Sequence, residues 1–290
     1  MTPRPPSRYG TLVLAIACVS LGSILVRLAQ APALAVSFYR MFLAALVLAP
    51  FALASGLASW PALGTRRLFV LLGSGVALAL HFATWIASLS YTSVAASVLL
   101  VNMAPLCTLL LSWTVLHEPA SPALLGAIGL AVGGASLIAR GDAGAGLDPL
   151  KGDALALLGA LTLSVHHVIG RGLREALPLG AYVLGVWSTA AATLGALAFA
   201  ARVPLRGYPP RTMAALVGLA LVPTLLGHGL VNRSLRLLPA PVVGLFLLGE
   251  PIGASLLAYA FFAEVPSAWT LAGGALVLSA LGLVVLRRSA

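Results

Sequence analysis

The sequence predicts an all-α membrane protein in which ten transmembrane helices form two inverted five-helix repeats around a central cavity. Three observations predict this fold. Hydrophobic residues make up 60% of the 290 positions and charged residues only 8%, too little charge to cover a soluble protein of this length. Apolar segments long enough to cross a bilayer follow one another with short connections. Features of the first half of the chain recur in the second half.

A spanning helix needs about 20 mostly apolar residues, and the alternation typical of barrel strands is absent, so helices are favoured. The spans divide into two repeats, 9–139 and 152–286, and use most of the chain, which argues against a separate soluble domain. The predicted spans are roughly 9–28, 33–54, 67–89, 93–115, 121–139, 152–171, 179–200, 212–232, 240–262 and 267–286.

The net charge of +10 does not indicate a nucleic-acid partner, because the basic residues lie at the ends of spans rather than in one stripe. They report orientation instead, through the excess of arginine and lysine on the cytoplasmic side of a membrane. A cytoplasmic N-terminus gives ten basic residues inside and five outside, although the 200–211 loop argues the other way. We therefore expect both termini in the cytoplasm. The ten are Arg4, Arg8, Arg66, Arg67, Arg171, Arg174, Arg233, Arg236, Arg287 and Arg288; the five are Arg140, Lys151, Arg202, Arg206 and Arg211.

An internal duplication relates the two halves. Each half contains five spans, so the second copy enters the membrane from the opposite side, as in transporters whose broken helices flank a midplane site. The matched positions at an offset of 146 residues (251 − 105) are Pro105 and Pro251, Glu118 and Glu264, and Ser121 and Ser267; at an offset of 147 (228 − 81) they are His81 and His228, and Trp85 and Asn232.

Prolines interrupt the fourth and ninth spans at corresponding positions, Pro105 and Pro251. A proline removes a backbone donor and frees a carbonyl, which within lipid needs a partner or a water-lined cavity. One such proline is usually a packed kink. Two at corresponding positions favour helices that line a central path and act as hinges.

Histidine and aromatic residues share helical faces inside the spans. His81 and Trp85 are four residues apart and could hold an amphipathic solute, although a buried histidine bonded to a backbone carbonyl explains the same pattern. His166 and His167 are adjacent and cannot both face one centre, so His166 is the candidate. No cysteine or carboxylate accompanies them, so no metal is predicted.

Charged and amide groups inside the membrane are costly and usually face a cavity or a partner. Glu250 is the one carboxylate placed deep in a span; it could bind a substrate ammonium, carry a proton, or be hydrogen-bonded beside the helix break. Asn102 could bond the loosened backbone or a substrate. Arg40 could face a substrate carboxylate or reach outward to the membrane surface.

The remaining substrate-binding candidates lie in other predicted spans: Tyr39, Tyr182, Trp187, His228, Asn232 and Phe246. The glutamates that close the fourth and ninth spans, Glu118 and Glu264, are expected to bond loop amides or an arginine rather than a solute. Gly129, Gly133 and Gly134 form a small-residue face that is expected to pack within one monomer.

Two segments resemble a known family. YTSVAASVLLVNMAPLCTLLLSWTVLHEPASPALLGAIGLAVGGASLI (91–138) is similar to the second half of an EamA domain of the drug/metabolite transporter superfamily, and 239–285 matches again through Glu250-Pro251 and Glu264. Arg40 resembles the arginine of the family's second helix, although the usual Arg-Phe is here Arg-Met. The resemblance covers nearly the whole chain. It implies two inverted five-helix repeats, with spans five and ten peripheral to the cavity.

The function implied is secondary transport across the bacterial inner membrane, without a cofactor. One well-known member of similar size exports aromatic and other hydrophobic amino acids, which are therefore the expected small-molecule substrates. Alternatives are export of another metabolite or a toxic cation, and an uncoupled facilitator or channel. An intramembrane enzyme is disfavoured because the sequence contains neither HExxH nor paired membrane aspartates, and no catalytic residue is predicted.

Overall fold

The computed structural model describes residues 8–56, 64–115, 122–141, 146–234, 243 and 246–287, which contain helices and no strand. Seven stretches of these residues are long and apolar enough to cross a membrane, and two shorter apolar helices, Leu125–Gly141 and Ala268–Leu283, accompany them. The predicted all-helical membrane fold is therefore confirmed, while the count of ten spans stays a prediction. The helices are α1 (Arg8–Ala29), α2 (Ala33–Gly56), α3 (Gly64–Ser88), α4 (Val94–Val101), α5 (Ala104–Val115), α6 (Pro122–Gly141), α7 (Pro149–Ala176), α8 (Leu179–Ala200), α9 (Pro210–Leu219), α10 (His228–Ser234), α11 (Gly249–Phe262) and α12 (Ala268–Arg287).

The fourth predicted span consists of two helices, α4 and α5, separated at Asn102 and Met103. Pro105 does not kink a continuous helix; it occupies the first turn of α5, where a missing N–H costs no helical hydrogen bond. Pro251 likewise lies in the first turn of α11. The two prolines thus begin corresponding helices, although Pro105 is exposed and Pro251 is buried.

The eighth predicted span contains an interruption that the sequence analysis did not predict. A π-helical segment, Ala220–Gly227, joins α9 to α10 and contains Pro223. Because Pro223 cannot donate a backbone hydrogen bond, the helix widens around it. The hydroxyl of the next residue, Thr224, donates to the carbonyl of Leu219, five residues earlier, at 2.9 Å. Such widened turns are rare overall, and those that occur often lie at functional sites.

The turns after α1, α3, α6, α8 and α11 meet at one end of the bundle, as alternating helix directions require. Hydrogen bonds between these turns and the adjoining helix ends join Arg27 to Leu89 and Thr92, Asp148 to Tyr91, Tyr39 to Leu205, Thr212 to Ala29 and Glu264 to Val94.

Helices α6 and α12 pack closely through glycine. A Cβ at Gly134 would lie 2.7 Å from the carbonyl oxygen of Gly273, so only a glycine allows this approach. A Cβ added at Gly129 or Gly133 would meet no atom of another described element within 4 Å. Packing within the chain therefore uses Gly134 rather than the Gly129–Gly133 pair.

Helix α3 approaches α8 most closely at Gly75, where an added Cβ would lie 2.5 Å from Cβ of Thr189 and 2.9 Å from the Val186 carbonyl oxygen. We expect Gly75→Val to lower the free energy of unfolding by about 1–3 kcal/mol, because this tight contact would have to open. Gly73→Val, two residues away with nothing within 4 Å, is the matched control. Thermal unfolding in detergent should show a lower midpoint for the first variant only, and equal midpoints would contradict the packing described.

A polar site where two helix breaks meet

The residues at the two helix breaks, Asn102 and Glu250, interact electrostatically. Asn102 caps the C-terminus of α4, and Glu250 lies in the first turn of α11. The Asn102 side chain donates through Nδ2 to the Val98 carbonyl at 2.9 Å and lies close enough to the Glu250 carboxylate to interact with it. Both side chains are half-buried. The corresponding breaks in the two halves of the chain therefore build one polar site.

Arg40 of α2 is the buried cation that interacts with this site. Its side chain is only 3% exposed, and its Nε donates to Thr224 Oγ1 in the π-helical segment at 3.0 Å. The guanidinium carbon lies 4.4 Å from the centre of the Phe82 ring and 5.5 Å from that of Trp85, so two aromatic faces stabilise the cation. Arg40 is thus a central residue and does not reach out to the membrane surface.

Arg40 and Glu250 interact electrostatically across the site without touching. In this described part of the chain, no nitrogen–oxygen pair between the two side chains lies within 4.0 Å. Opposite charges that stay apart in a low-dielectric interior attract strongly, and each can also attract a charged group of a bound solute.

His81 and Trp85 form a buried stack on α3, with ring centres 6.0 Å apart and ring planes 4° from parallel. His81 Nδ1 is 2.9 Å from the carbonyl oxygen of Gly159 in α7, and we assign the proton to this nitrogen. Gly159 permits the approach, since a Cβ there would lie 3.2 Å from Cβ of Trp85. The backbone bond fixes the ring, and the ring in turn supports Trp85 beside Arg40.

His166 belongs to a second polar group between α3, α7 and α8. Its Nδ1 lies 2.8 Å from Ser74 Oγ, and the same hydroxyl lies 3.4 Å from the Tyr182 hydroxyl. His166 and its neighbour His167 both act electrostatically on His81. Tyr182 therefore orients this group from a buried position, and His166 extends the central site toward α8.

Three further candidates make contacts elsewhere in the bundle, and the side chain of a fourth is not described. Trp187 packs against the Leu48 region of α2 as well as against the main apolar core, and Phe246 packs in a separate cluster with Leu12 and Val243. The Tyr39 hydroxyl donates to the Leu205 carbonyl in the loop between α8 and α9. The Asn232 side chain lies outside the described residues.

The loop environment of Tyr39 extends to Tyr208, whose ring stands edge-on to it at 6.3 Å. Burial, with a smaller contribution from Tyr39, raises the pKa of the Tyr208 hydroxyl. Tyr208 therefore acts as a neutral packing group at the end of the bundle where the turns after α1, α3, α6, α8 and α11 meet, which we call the loop end. We do not retain Tyr39 in the proposed site, because its hydroxyl is bonded to this loop.

His228 begins α10 directly after the π-helical segment and is exposed in the isolated chain. Arg40 and His228 interact electrostatically, so the His228 side chain lies close to the central site. An exposed imidazole beside a buried arginine favours an aqueous cavity over lipid at this position.

A contact set that we call the latch ties the loop end together through Arg27 and Glu264. Arg27 forms an ion pair with Glu264 and donates to the carbonyls of Leu89 and Thr92, at 3.2 and 2.8 Å. The second Glu264 oxygen accepts the backbone N–H of Val94, the first residue of α4. The expectation that Glu264 bonds a loop amide or an arginine is thereby confirmed; Glu118, like Ser121, lies outside the described residues.

Pro251 also lines an apolar groove of about 440 Å³ between α4, α11 and α12, together with Ile252, Leu256 and Leu271. The groove opens on the outer surface, where the bilayer would cover it. A smaller pocket of about 330 Å³ lies beside the latch, against Gln30, Ser90 and Phe262.

Sequence reasoning missed several residues of the site. Phe82 was overlooked although it follows His81 directly, and Thr224 could have been found from the proline before it. The sequence does not indicate that Arg27 is the arginine that pairs with Glu264, because the two residues are 237 positions apart. No pattern in the sequence indicated Ser74 as a site residue, because a lone serine in a span usually bonds its own helix.

Comparison with known proteins identifies the family. The model of the EamA-like transporter family matches residues 8–140 and again 150–286. The chain belongs to the EamA-like transporter family. The two EamA matches end 146 residues apart (286 − 140), the same offset as the duplicated prolines.

Two further proteins are similar to this EamA chain. An uncharacterized transporter of Archaeoglobus fulgidus is 28% identical over 276 residues, covering 94% of each chain. A crystal structure of a protein that is 20% identical has a TM-score of 0.65 and covers 96% of this chain and 97% of that one, which supports the fold alone. The family and the archaeal relative are named as transporters and not as enzymes, and a transporter role follows for this chain.

Proposed function

We propose that the chain is a secondary transporter that exports small organic solutes, with aromatic and hydrophobic amino acids as the main class, across the bacterial inner membrane by alternating access. The observation that carries this proposal is the polar site at the two helix breaks, where Asn102 and Glu250 face the buried Arg40. Transporters built from inverted repeats bind their solutes at such breaks.

The composition of the site favours a zwitterion with an apolar side chain. Glu250 and Arg40 supply one charge of each sign, separated by more than a direct ion pair. The rings of His81, Phe82 and Trp85 supply an aromatic wall beside them. A multiply charged phosphate ester would want several cations, and Arg40 is the cation that the described residues place at this centre.

Alternating access requires that one end of the path be closed while the other is open. The latch closes the loop end, because Arg27 and Glu264 join α1, the α3–α4 turn and the turn after α11. With both termini in the cytoplasm, this closed end would face the periplasm, and the opposite end of the path would face the cytoplasm. Solute would enter from there, and export would follow breakage of the latch.

Liposomes containing the purified chain test the proposal with a panel of radiolabelled amino acids, with and without a pH gradient. We expect saturable counterflow of phenylalanine, tryptophan and leucine, and weak flux of aspartate and lysine. Preferential flux of organic cations would favour the drug-type alternative, and linear, non-saturable flux would favour a channel. Failure of every hydrophobic amino acid to move or compete would remove the proposed substrate class.

A further inference from the structure

We propose that Arg40 Nη1 and Trp85 Nε1 form a subsite that binds the carboxylate of the solute. This inference rests on the proposed function and deepens it, since it assigns the acidic group of the substrate to a particular side of the polar site. Both nitrogens are donors only, so their partner has to be an acceptor.

Both donors are buried without a partner. Arg40 is 3% exposed and Trp85 6%, and neither Arg40 Nη1 nor Trp85 Nε1 has a hydrogen-bond partner among the described residues. A buried donor left unsatisfied is costly, and such atoms are uncommon in folded proteins. Two of them on adjacent side chains indicate that this region is arranged for a ligand.

The two donors belong to one arrangement. The Arg40 guanidinium carbon lies 5.5 Å from the centre of the Trp85 ring that carries Nε1. Thr224 holds Arg40 through Nε, and this bond fixes the plane of the guanidinium and leaves its Nη side for another acceptor. Stacking on His81 fixes the ring of Trp85.

The Glu250 carboxylate does not take this role. Its N–O distances to Arg40 exceed 4.0 Å, and it interacts with Asn102 on the side of the helix breaks. The charge of Arg40 is thus balanced at a distance and not by contact. An incoming carboxylate can accept from both unpartnered nitrogens while the ammonium group of the same solute lies toward Glu250.

Binding by the full-length protein in detergent tests this subsite with four small probes: phenylalanine, 3-phenylpropionate, 3-phenylpropanamide and 2-phenylethylamine. For the unchanged chain we expect the acid to bind at least tenfold more tightly than its amide. Trp85→Phe keeps an aromatic ring at this position and removes the indole N–H. It should therefore weaken the binding of both carboxylate-bearing probes about tenfold and change the binding of phenylethylamine less than twofold. Arg40→Lys keeps the charge and loses the planar fork, with a similar selective loss.

The control is Arg211→Lys, at an exposed arginine in the first turn of α9, which should leave all four affinities unchanged. Equal losses for acid, amide and amine in Trp85→Phe would show a packing role for the indole and overturn the subsite. Unchanged acid binding in Trp85→Phe and Arg40→Lys would also overturn it, because the donors would then be satisfied by buried water.

These outcomes are separable from those of the transport proposal. Selective binding of 3-phenylpropionate without any amino-acid flux would leave the subsite standing and remove the amino-acid substrate class. Amino-acid flux with no discrimination between acid and amide would leave the amino-acid substrate class standing and overturn the subsite.

Discussion

Replacing Glu250 with glutamine is expected to reduce saturable phenylalanine flux by about 100-fold or more. Charge-assisted hydrogen bonds in a low-dielectric site contribute about 1.5–3 kcal/mol each, and the variant loses both the bond to an ammonium group and its long-range attraction. The shape of the side chain and its contact with Asn102 are kept. Initial rates in liposomes, with thermal unfolding as a check on folding, measure the effect.

The matched control lies on the same helix. Ser255→Ala removes a hydroxyl that bonds the Pro251 carbonyl of its own helix at 2.8 Å and lines the apolar groove, so its flux should change less than twofold. A Glu250→Gln protein that transports phenylalanine normally would show that Glu250 only supports the helix break. Equal losses in both variants would point to general damage to α11.

Breaking the latch is expected to make the central site accessible from the loop end. Glu264→Ala removes the ion pair with Arg27 and the acceptor for Val94 N–H, whereas Glu264→Gln removes only the charge. The side chains of Arg27 and Glu264 are 24% and 19% exposed, so solvent screens part of their ion pair. We expect the population that is open at the loop end to rise about fivefold or more in Glu264→Ala, and to rise by less in Glu264→Gln.

Thiol labelling measures this shift. Cys18 and Cys107 are first replaced by alanine, and a cysteine is placed at Asn102 as the reporter. A membrane-impermeant maleimide added at the loop end should label it faster when Glu264 is altered. Arg202→Gln, at an exposed arginine of the same end, is the control. Labelling that stays slow in Glu264→Ala would show that the latch stabilises the turns without closing a path.

The membrane fold could be predicted from the sequence because the bilayer imposes long apolar helices, and the duplication could be found because both copies keep a proline at the same place. The offset also identified Asn102 and Glu250 as neighbours of the breaks. Their mutual interaction was not predictable, since it depends on how α4 and α11 cross.

Other parts of the site escaped prediction for identifiable physical reasons. The π-helical segment depends on Pro223, which has no counterpart in the first repeat. Comparing the two repeats therefore does not indicate this segment. Tyr39 and Trp187 were plausible because aromatic residues bind solutes, but the rotation of α2 and α8 about their own axes decides where they point. In spans that are apolar on every side, the pattern of residues does not indicate that rotation.

The most direct test of the central claim is an experimental structure of the full chain with bound phenylalanine. The account predicts that the ligand lies between Arg40 and Glu250, with its carboxylate within hydrogen-bond distance of Arg40 and its ring beside Trp85. A ligand found instead in the apolar groove against Ile252 and Leu256, or at the loop end outside the latch, would contradict the claim that the two helix breaks build the transport site.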